Sequence, residues 1–356
     1  MMMFKTMLSR VTSLLVLFGL LMGCAPANQQ TKAVEIIYRD WEGVMPQSVL
    51  DDFTKETGIQ VTYLPYQSQE EAIAEMKAGK VYDLVVLESE FVPPLVADGT
   101  LAEINYQNIP NFKNISANFR DLVYDPGNRH SVPYSWGMTG LVVADDKVSH
   151  PVAGWADLWK LKPEEKIVGW TLPRYMLGVT LKSLGYSVNS TNPQELEAAL
   201  AKLIELKPHL LQLDWEPGVT ATQILGQRAV VGLGQADDIR EAEKQKVKLS
   251  YVLPVEGAIL WGDNYTLPAA STKKAEAEKF INFLLRADIA ARIITETYYW
   301  LPNDAAMPLV PEDLRKNTMI FPLQKDIQTA EIILPLNAAG EKLYAEIWQR
   351  FLAAKP

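Results

Sequence analysis

Tyr82-Asp83-Leu84-Val85-Val86-Leu87 is apolar at every position but Asp83. A half-buried strand alternates, whereas a continuous run of this length with β-branched residues fits a strand covered on both faces, at the centre of an α/β sheet. The flanks agree. Ile59-Gln60-Val61-Thr62-Tyr63 alternates as a strand, and so does Val34-Glu35-Ile36-Ile37-Tyr38. Between those two, residues 46–57 are predicted to be helical: Pro46 opens the segment, Val49, Leu50 and Phe53 share a face, and Gly58 stops it. A second helix is predicted over 69–77, ending before Gly79. The order β-α-β-α-β is one half of a doubly wound sheet.

A second half begins after Leu141-Val142-Val143. Helices are predicted over 174–184 and 193–206, the latter with Thr191 or Asn192 as cap, Pro193 at its first position and Glu195 in its first turn. Further elements are a helix over 238–245, a strand over 247–253 and a helix over 274–285 whose apolar face is Phe280, Ile281, Phe283 and Leu284. A last helix spans 338–353 and must pack on an existing half, since it is too little for a third domain. A chain of 356 residues with 48% hydrophobic content suggests two domains, each with its own core.

The N-terminus sets an expected compartment. Lys5 and Arg10 precede an apolar run over 11–22, broken only by Thr12, Ser13 and Gly19. The run is short of the roughly 20 apolar residues of a membrane span and fits a secretory signal peptide. It ends in Leu21-Met22-Gly23-Cys24, which resembles the bacterial lipobox. Residues 1–23 are therefore read as a lipoprotein signal, Cys24 as the lipidated residue, and 24–33 as a polar tether. The expected place is the periplasm, with Cys24 holding the chain to the membrane. Cys24 is the single cysteine, which excludes internal disulfides and thiolate zinc sites, and three scattered His argue against a histidine metal centre. The net charge of −9 disfavours nucleic acid, whose phosphates need a basic surface.

No reaction is written in the chain. It lacks a Gly-x-Ser-x-Gly elbow and a Walker loop. Gly232-Leu233-Gly234 opens like a dinucleotide fingerprint, but Asp237 stands where the third Gly belongs. Asp51-Asp52 and Asp237-Asp238 read as caps or solvated acids more readily than as a general acid and base. Tyr298-Tyr299 has only Glu296 nearby to support iron binding. No enzyme, cofactor or metal is expected. One segment stands out: Ile259-Leu260-Trp261-Gly262-Asp263-Asn264-Tyr265 alternates like a strand and sets an indole beside a carboxylate. A carboxylate holds a cation by charge and an aromatic face by its quadrupole, so the pair could bind an amine. It could equally be a strand end with the Trp packed inward and the Asp in water.

Several local patterns recur in one order. They are Leu50-x-x-Phe53-Thr54-Lys55-Glu56-Thr57-Gly58-Ile59, Tyr82-Asp83-Leu84-Val85-Val86 and Val132-Pro133-Tyr134-x-Trp136-Gly137. Then follow Trp155-Ala156-Asp157-Leu158-Trp159, Leu184-Gly185-Tyr186-Ser187, Trp261-x-Asp263 and Ile281-Asn282-Phe283-Leu284-Leu285-Arg286. Together they resemble the spermidine/putrescine-binding proteins and lipoproteins of polyamine ABC transporters, over essentially residues 34–351. The resemblance implies an α/β type II periplasmic-binding fold, with two lobes around a ligand cleft and a two-strand hinge. The N-lobe would combine 34–140 with 263–308, and the C-lobe 141–262 with 309–356. It further implies a monomeric carrier that takes a cationic polyamine and meets ABC permease subunits.

Carried over residue by residue, Trp41 and Trp261 match aromatics that line the cleft, and Asp263 matches the acid that pairs with an amine. Asp238 matches an acid of putrescine-type members, and Trp300 stands where the family has a Tyr. Glu42 is displaced by one residue from a family acid, since Glu42-Gly43-Val44 replaces a Thr-Glu-Tyr. Two further cleft acids fall on Leu172 and Tyr175, with Arg174 between them, and a family Trp falls on Gln235. An ammonium buried without a partner costs several kcal/mol. Either Glu42, Glu88, Glu90, Asp237 or Glu216 compensates, or the ligand carries less positive charge. Arg174 could instead pair with a carboxylate, as γ-aminobutyrate, an ornithine-like amino acid or an opine-like compound would require. A sensor or an enzyme reusing the fold is the remaining alternative.

Overall fold

The computed structural model describes residues 34–66, 68–214 and 218–355. The signal segment, Cys24, the tether and Glu216 lie outside them. Ten strands form one sheet. In chain order they are β1 (Glu35–Trp41), β2 (Gln60–Tyr66), β3 (Leu84–Glu88), β4 (Ser131–Val143), β5 (Ile167–Gly169), β6 (Leu210–Leu213), β7 (Val231–Gly234), β8 (Ser250–Val252), β9 (Ile259–Thr266) and β10 (Glu331–Ile332). The order across the sheet is β2-β1-β3-β9-β4-β7-β5-β6, with β8 on β4 and β10 on β9.

The run that opened the reading is central, as its composition requires. Leu84, Val85, Val86 and Leu87 are fully buried, and β3 lies between β1, parallel to it, and β9, antiparallel. Asp83, the polar exception, is consumed at the strand's start. Its Oδ2 accepts the N–H of Ile37 at 2.9 Å and its Oδ1 the hydroxyl of Ser271 at 2.6 Å. Helices Gln47–Thr57 and Gln69–Lys77 fill the predicted places. Gly58 ends the first with φ 72°, a conformation only glycine adopts at no steric cost. Helix Pro193–Leu206 is capped by the side chain of Asn192, which accepts from the Gln194 N–H.

Two strands run through both halves. β4 pairs with β9 over Ser131–Thr139 and then, from Gly140 on, with β7 and β8. β9 pairs with β3 at its C-terminal end and with β10 at its N-terminal end. The cores divide along these strands. Trp136 and Tyr265 belong to one apolar cluster with β1–β3 and helices Lys274–Leu284 and Ala287–Thr297. Leu141 and Ile259 belong to a second, and Val142, Val168, Ile239 and Ala242 to a third on the opposite face of the same half. Tyr344, Ile347 and Phe351 of the last helix, Ala338–Ala353, pack in that second cluster, while Val310, Leu314 and Ile320 pack in the first. A sheet carried by two strands from the first cluster to the other two has the two-lobed, hinged architecture of periplasmic binding proteins, a fold that brackets its ligand between lobes.

Candidate ligand-binding site

The crossing strands carry a reciprocal Trp–Gly exchange. Trp136 faces Gly262, and Gly137 faces Trp261, in the β4–β9 register. A Cβ on Gly137 would lie 2.2 Å from the Trp261 ring, and one on Gly262 would lie 2.6 Å from the Trp136 ring. Each indole therefore lies flat on its partner strand only because the opposite residue has no side chain. Successive residues of a strand point to opposite faces, so Trp136 goes to the first core while Trp261 is left at a cavity.

Next to this exchange the ladder breaks. The register jumps between Pro133 and Trp136, so Tyr134 and Ser135 together oppose Asp263. Two residues against one is a β-bulge, a device that re-aims a side chain. Here Ser135 donates its hydroxyl to Asp263 Oδ2 at 3.1 Å, and Trp41, at the end of β1, donates its indole N–H to Oδ1 at 3.2 Å. Asp263 is only 5% exposed. Burial pushes its pKa up to about 6, against the two hydrogen bonds that favour the carboxylate. Behind it, Asp40 is fully buried, accepting from the Tyr38 hydroxyl and the Trp41 N–H. Burial also raises the Asp40 carboxyl well above its ordinary range, and the Asp263 charge adds to this.

These groups border a cavity of about 620 Å³. Trp41, Glu42, Gln235, Trp261 and Asp263, all expected from sequence, line it together. Tyr66, Tyr134 and Tyr299 complete the aromatic wall, and Glu88 and Asp237 bring the lining acids to Glu42, Glu88, Asp237 and Asp263. No Lys, Arg or His lines it among the described residues.

Three expected residues are placed otherwise. Asp238 does not reach the cavity: it sits at the third position of helix Ala236–Lys244 and accepts the Gln235 N–H at 3.0 Å and the Ala221 N–H at 2.9 Å. A carboxylate there satisfies otherwise orphaned helix N–H groups. Burial and its neighbour Asp237 push its pKa up to about 7. Asp237, one residue earlier, is the acid that faces the cavity. Trp300 borders a smaller adjoining cavity of about 60 Å³ and stacks edge-on against Phe119 at 4.9 Å, leaving its neighbour Tyr299 on the main one. Tyr175 is buried with its ring edge-on to Trp170 at 5.2 Å, outside the lining. Burial raises its hydroxyl pKa, and the charges of Glu88, Glu90 and Asp263 raise it further, so the ring lies within reach of the cleft's field.

Arg174 is half-buried and absent from the cavity lining. Its Nη1 donates to the Leu334 carbonyl at 2.9 Å and its Nη2 to Asn189 at 3.0 Å, with the guanidinium 5.1 Å over the Tyr344 ring. Sequence reasoning missed Tyr66, Ser68, Tyr134 and Ser135 and ranked Asp237 below Asp238. The bulge that turns Ser135 has no marker in a single sequence. The Asp237-Asp238 choice depends on helix phase, which a one-residue error inverts.

Known proteins resemble this chain over most of its length. Residues 48–321 match the family described as bacterial extracellular solute-binding protein. The spermidine/putrescine-binding periplasmic protein of Escherichia coli (strain K12) is 32% identical over 323 residues, covering 90% of this chain and 92% of that one. A putrescine-binding periplasmic protein of Pseudomonas aeruginosa (strain UCBPP-PA14) is 29% identical over 339 residues, covering 89% and 91%. The crystal structure of a spermidine/putrescine ABC transporter substrate-binding protein from Streptococcus pneumoniae superposes with a TM-score of 0.81 at 29% identity, covering 90% of this chain and 98% of that one. With residues 48–321, more than half of its length, matched to that family, this chain belongs to the bacterial extracellular solute-binding protein family.

Proposed function

We propose that the chain captures a polyamine, spermidine or putrescine, in the cleft and delivers it to the permease subunits of an ABC importer. One observation carries the reading: a cavity walled by Trp41, Trp261 and three tyrosines is lined by four acids and, among the described residues, by no basic one. Aromatic faces pack along a methylene chain and attract its ammonium groups. Each charge-assisted hydrogen bond to a carboxylate adds about 1.5–3 kcal/mol. Asp263 takes one end of the ligand, and Asp237, with Glu42, serves the other.

The ligand closes two lobes about β4 and β9: 34–140 with 263–308 and the 310–320 stretch, which packs in the first core and not with the second as expected, against 141–262 with the last helix. The carrier works in the periplasm as a monomer, held to the membrane by a lipid on Cys24. A ligand with both an amine and a carboxylate fits less well. The anion would enter a cavity of acids, and Arg174, the one cation considered for it, is engaged elsewhere. Isothermal titration of the purified mature protein with spermidine and putrescine is expected to give micromolar or tighter binding. No heat at high micromolar ligand overturns the reading, and stabilisation by γ-aminobutyrate but not by polyamines in a thermal-shift screen replaces it.

A further inference from the structure

Glu88 lies beyond the residues that the resemblance assigns. It is the last residue of β3, and in the antiparallel β3–β9 ladder it stands directly opposite Asp263. Directly opposed residues project to the same face, and like charges in that position destabilise each other. The structure nevertheless aims both acids at one cavity and supplies no Lys or Arg there among the described residues. Burial and the neighbouring Glu90 and Asp263 charges raise the Glu88 pKa well above the carboxylate range.

The arrangement is built rather than incidental. Gln69, 2% exposed at the start of its helix, accepts the Glu88 backbone N–H through Oε1 at 2.6 Å. Ser135 on one side and Trp41 on the other hold the two oxygens of Asp263. A carboxylate oxygen can accept a second hydrogen bond, so each keeps one site for a donor in the cavity.

We propose that Glu88 and Asp263 form a two-carboxylate clamp that selects a primary ammonium end of the ligand over a fully alkylated one. The inference rests on the polyamine reading and names the chemistry of one end of that site. A primary ammonium brings three N–H donors, enough to bridge the two opposed acids and cancel their repulsion. A quaternary ammonium brings none. The aromatic wall alone would accept either, since a cation–π contact needs only charge. The acid pair therefore makes the distinction.

The test compares putrescine with its analogue trimethylated on both nitrogens, titrated into the wild type and into Glu88→Gln. The wild type is expected to prefer putrescine by roughly a hundredfold. Glu88→Gln should weaken putrescine by roughly tenfold or more and the analogue, which loses charge attraction but no hydrogen bond, by clearly less, so that the preference shrinks. Because the variant removes the cost of burying an ionisable acid beside Asp263, its ligand-free Tm should rise. Glu88→Ser gives the same readout should the Gln variant fail to fold. Wild-type putrescine affinity in the variant, or an undiminished preference, overturns the clamp and leaves the polyamine reading standing. A wild type that binds no amine removes both.

Discussion

Asp263 concentrates the site's electrostatics in one side chain. Its pKa of about 6 in the folded chain, raised by burial, lies above its ordinary 3.8. The folded protein thus binds this proton more tightly than the unfolded chain does. Between those two values stability falls as pH rises, and the ionised carboxylate costs the empty cleft about 3 kcal/mol above pH 6. The sign reverses for a cationic ligand, which needs the ionised form. Polyamine affinity should therefore drop as pH falls through about 6, visible in titrations at pH 8, 7, 6 and 5. In Asp263→Asn the same titrations should show affinity roughly tenfold or more weaker at pH 8 and a flatter pH profile. An unchanged affinity would place the carboxylate outside the binding step.

At the scale of the elements, the geometry depends on the paired glycines of β4 and β9. Gly137→Ala puts a methyl 2.2 Å from the Trp261 ring, against a strand that cannot retreat because it is paired on both sides. The ring must swing toward the cleft. Overpacking of this kind costs about 1–3 kcal/mol, so the Tm should fall and putrescine affinity with it. Trp261 fluorescence should report the displaced indole. Asp238, one turn into its helix, behaves differently: Asp238→Ala removes a helix cap, at a cost of about 1 kcal/mol, with little direct effect on the ligand. Asp237→Asn should do the reverse, sparing the Tm and weakening binding. Melting curves and titrations of the two variants side by side separate the roles.

For the molecule as a whole, Arg240 ties helix Ala236–Lys244 to the end of helix Ala287–Thr297, whose apolar face packs in the first core. It donates to the Thr297 carbonyl at 3.0 Å and lies 5.2 Å over the Tyr298 ring. A cation on a helix C-terminus is favourably placed, and this one joins helices that pack in different clusters, beside the smaller cavity. Arg240→Ala should loosen the closed state, weakening polyamine affinity by roughly tenfold through faster release. Stopped-flow dissociation would show it, with the ligand-free Tm nearly unchanged. Small-angle scattering should find the wild type more compact with ligand than without, and the variant less so.

The alternation of β1 and β2, the unbroken apolar run of β3, Gly58 as a helix stop and Asn192 as a cap were all legible because each follows from local backbone preference and the period of burial. Trp261 and Asp263 were legible as a pair for the same reason: two apart on a strand means one face. The chain order of residues could not say that Tyr134 and Ser135 share one partner, that Glu88 faces Asp263, or that Asp237 and not Asp238 looks into the cavity. Those facts depend on strand register and helix phase, set by packing between segments far apart in the chain. A shift of one residue in either turns a side chain from the cleft to the core. Local chemistry therefore wrote the elements and set an indole beside a carboxylate, and long-range pairing chose which acids meet in the cavity.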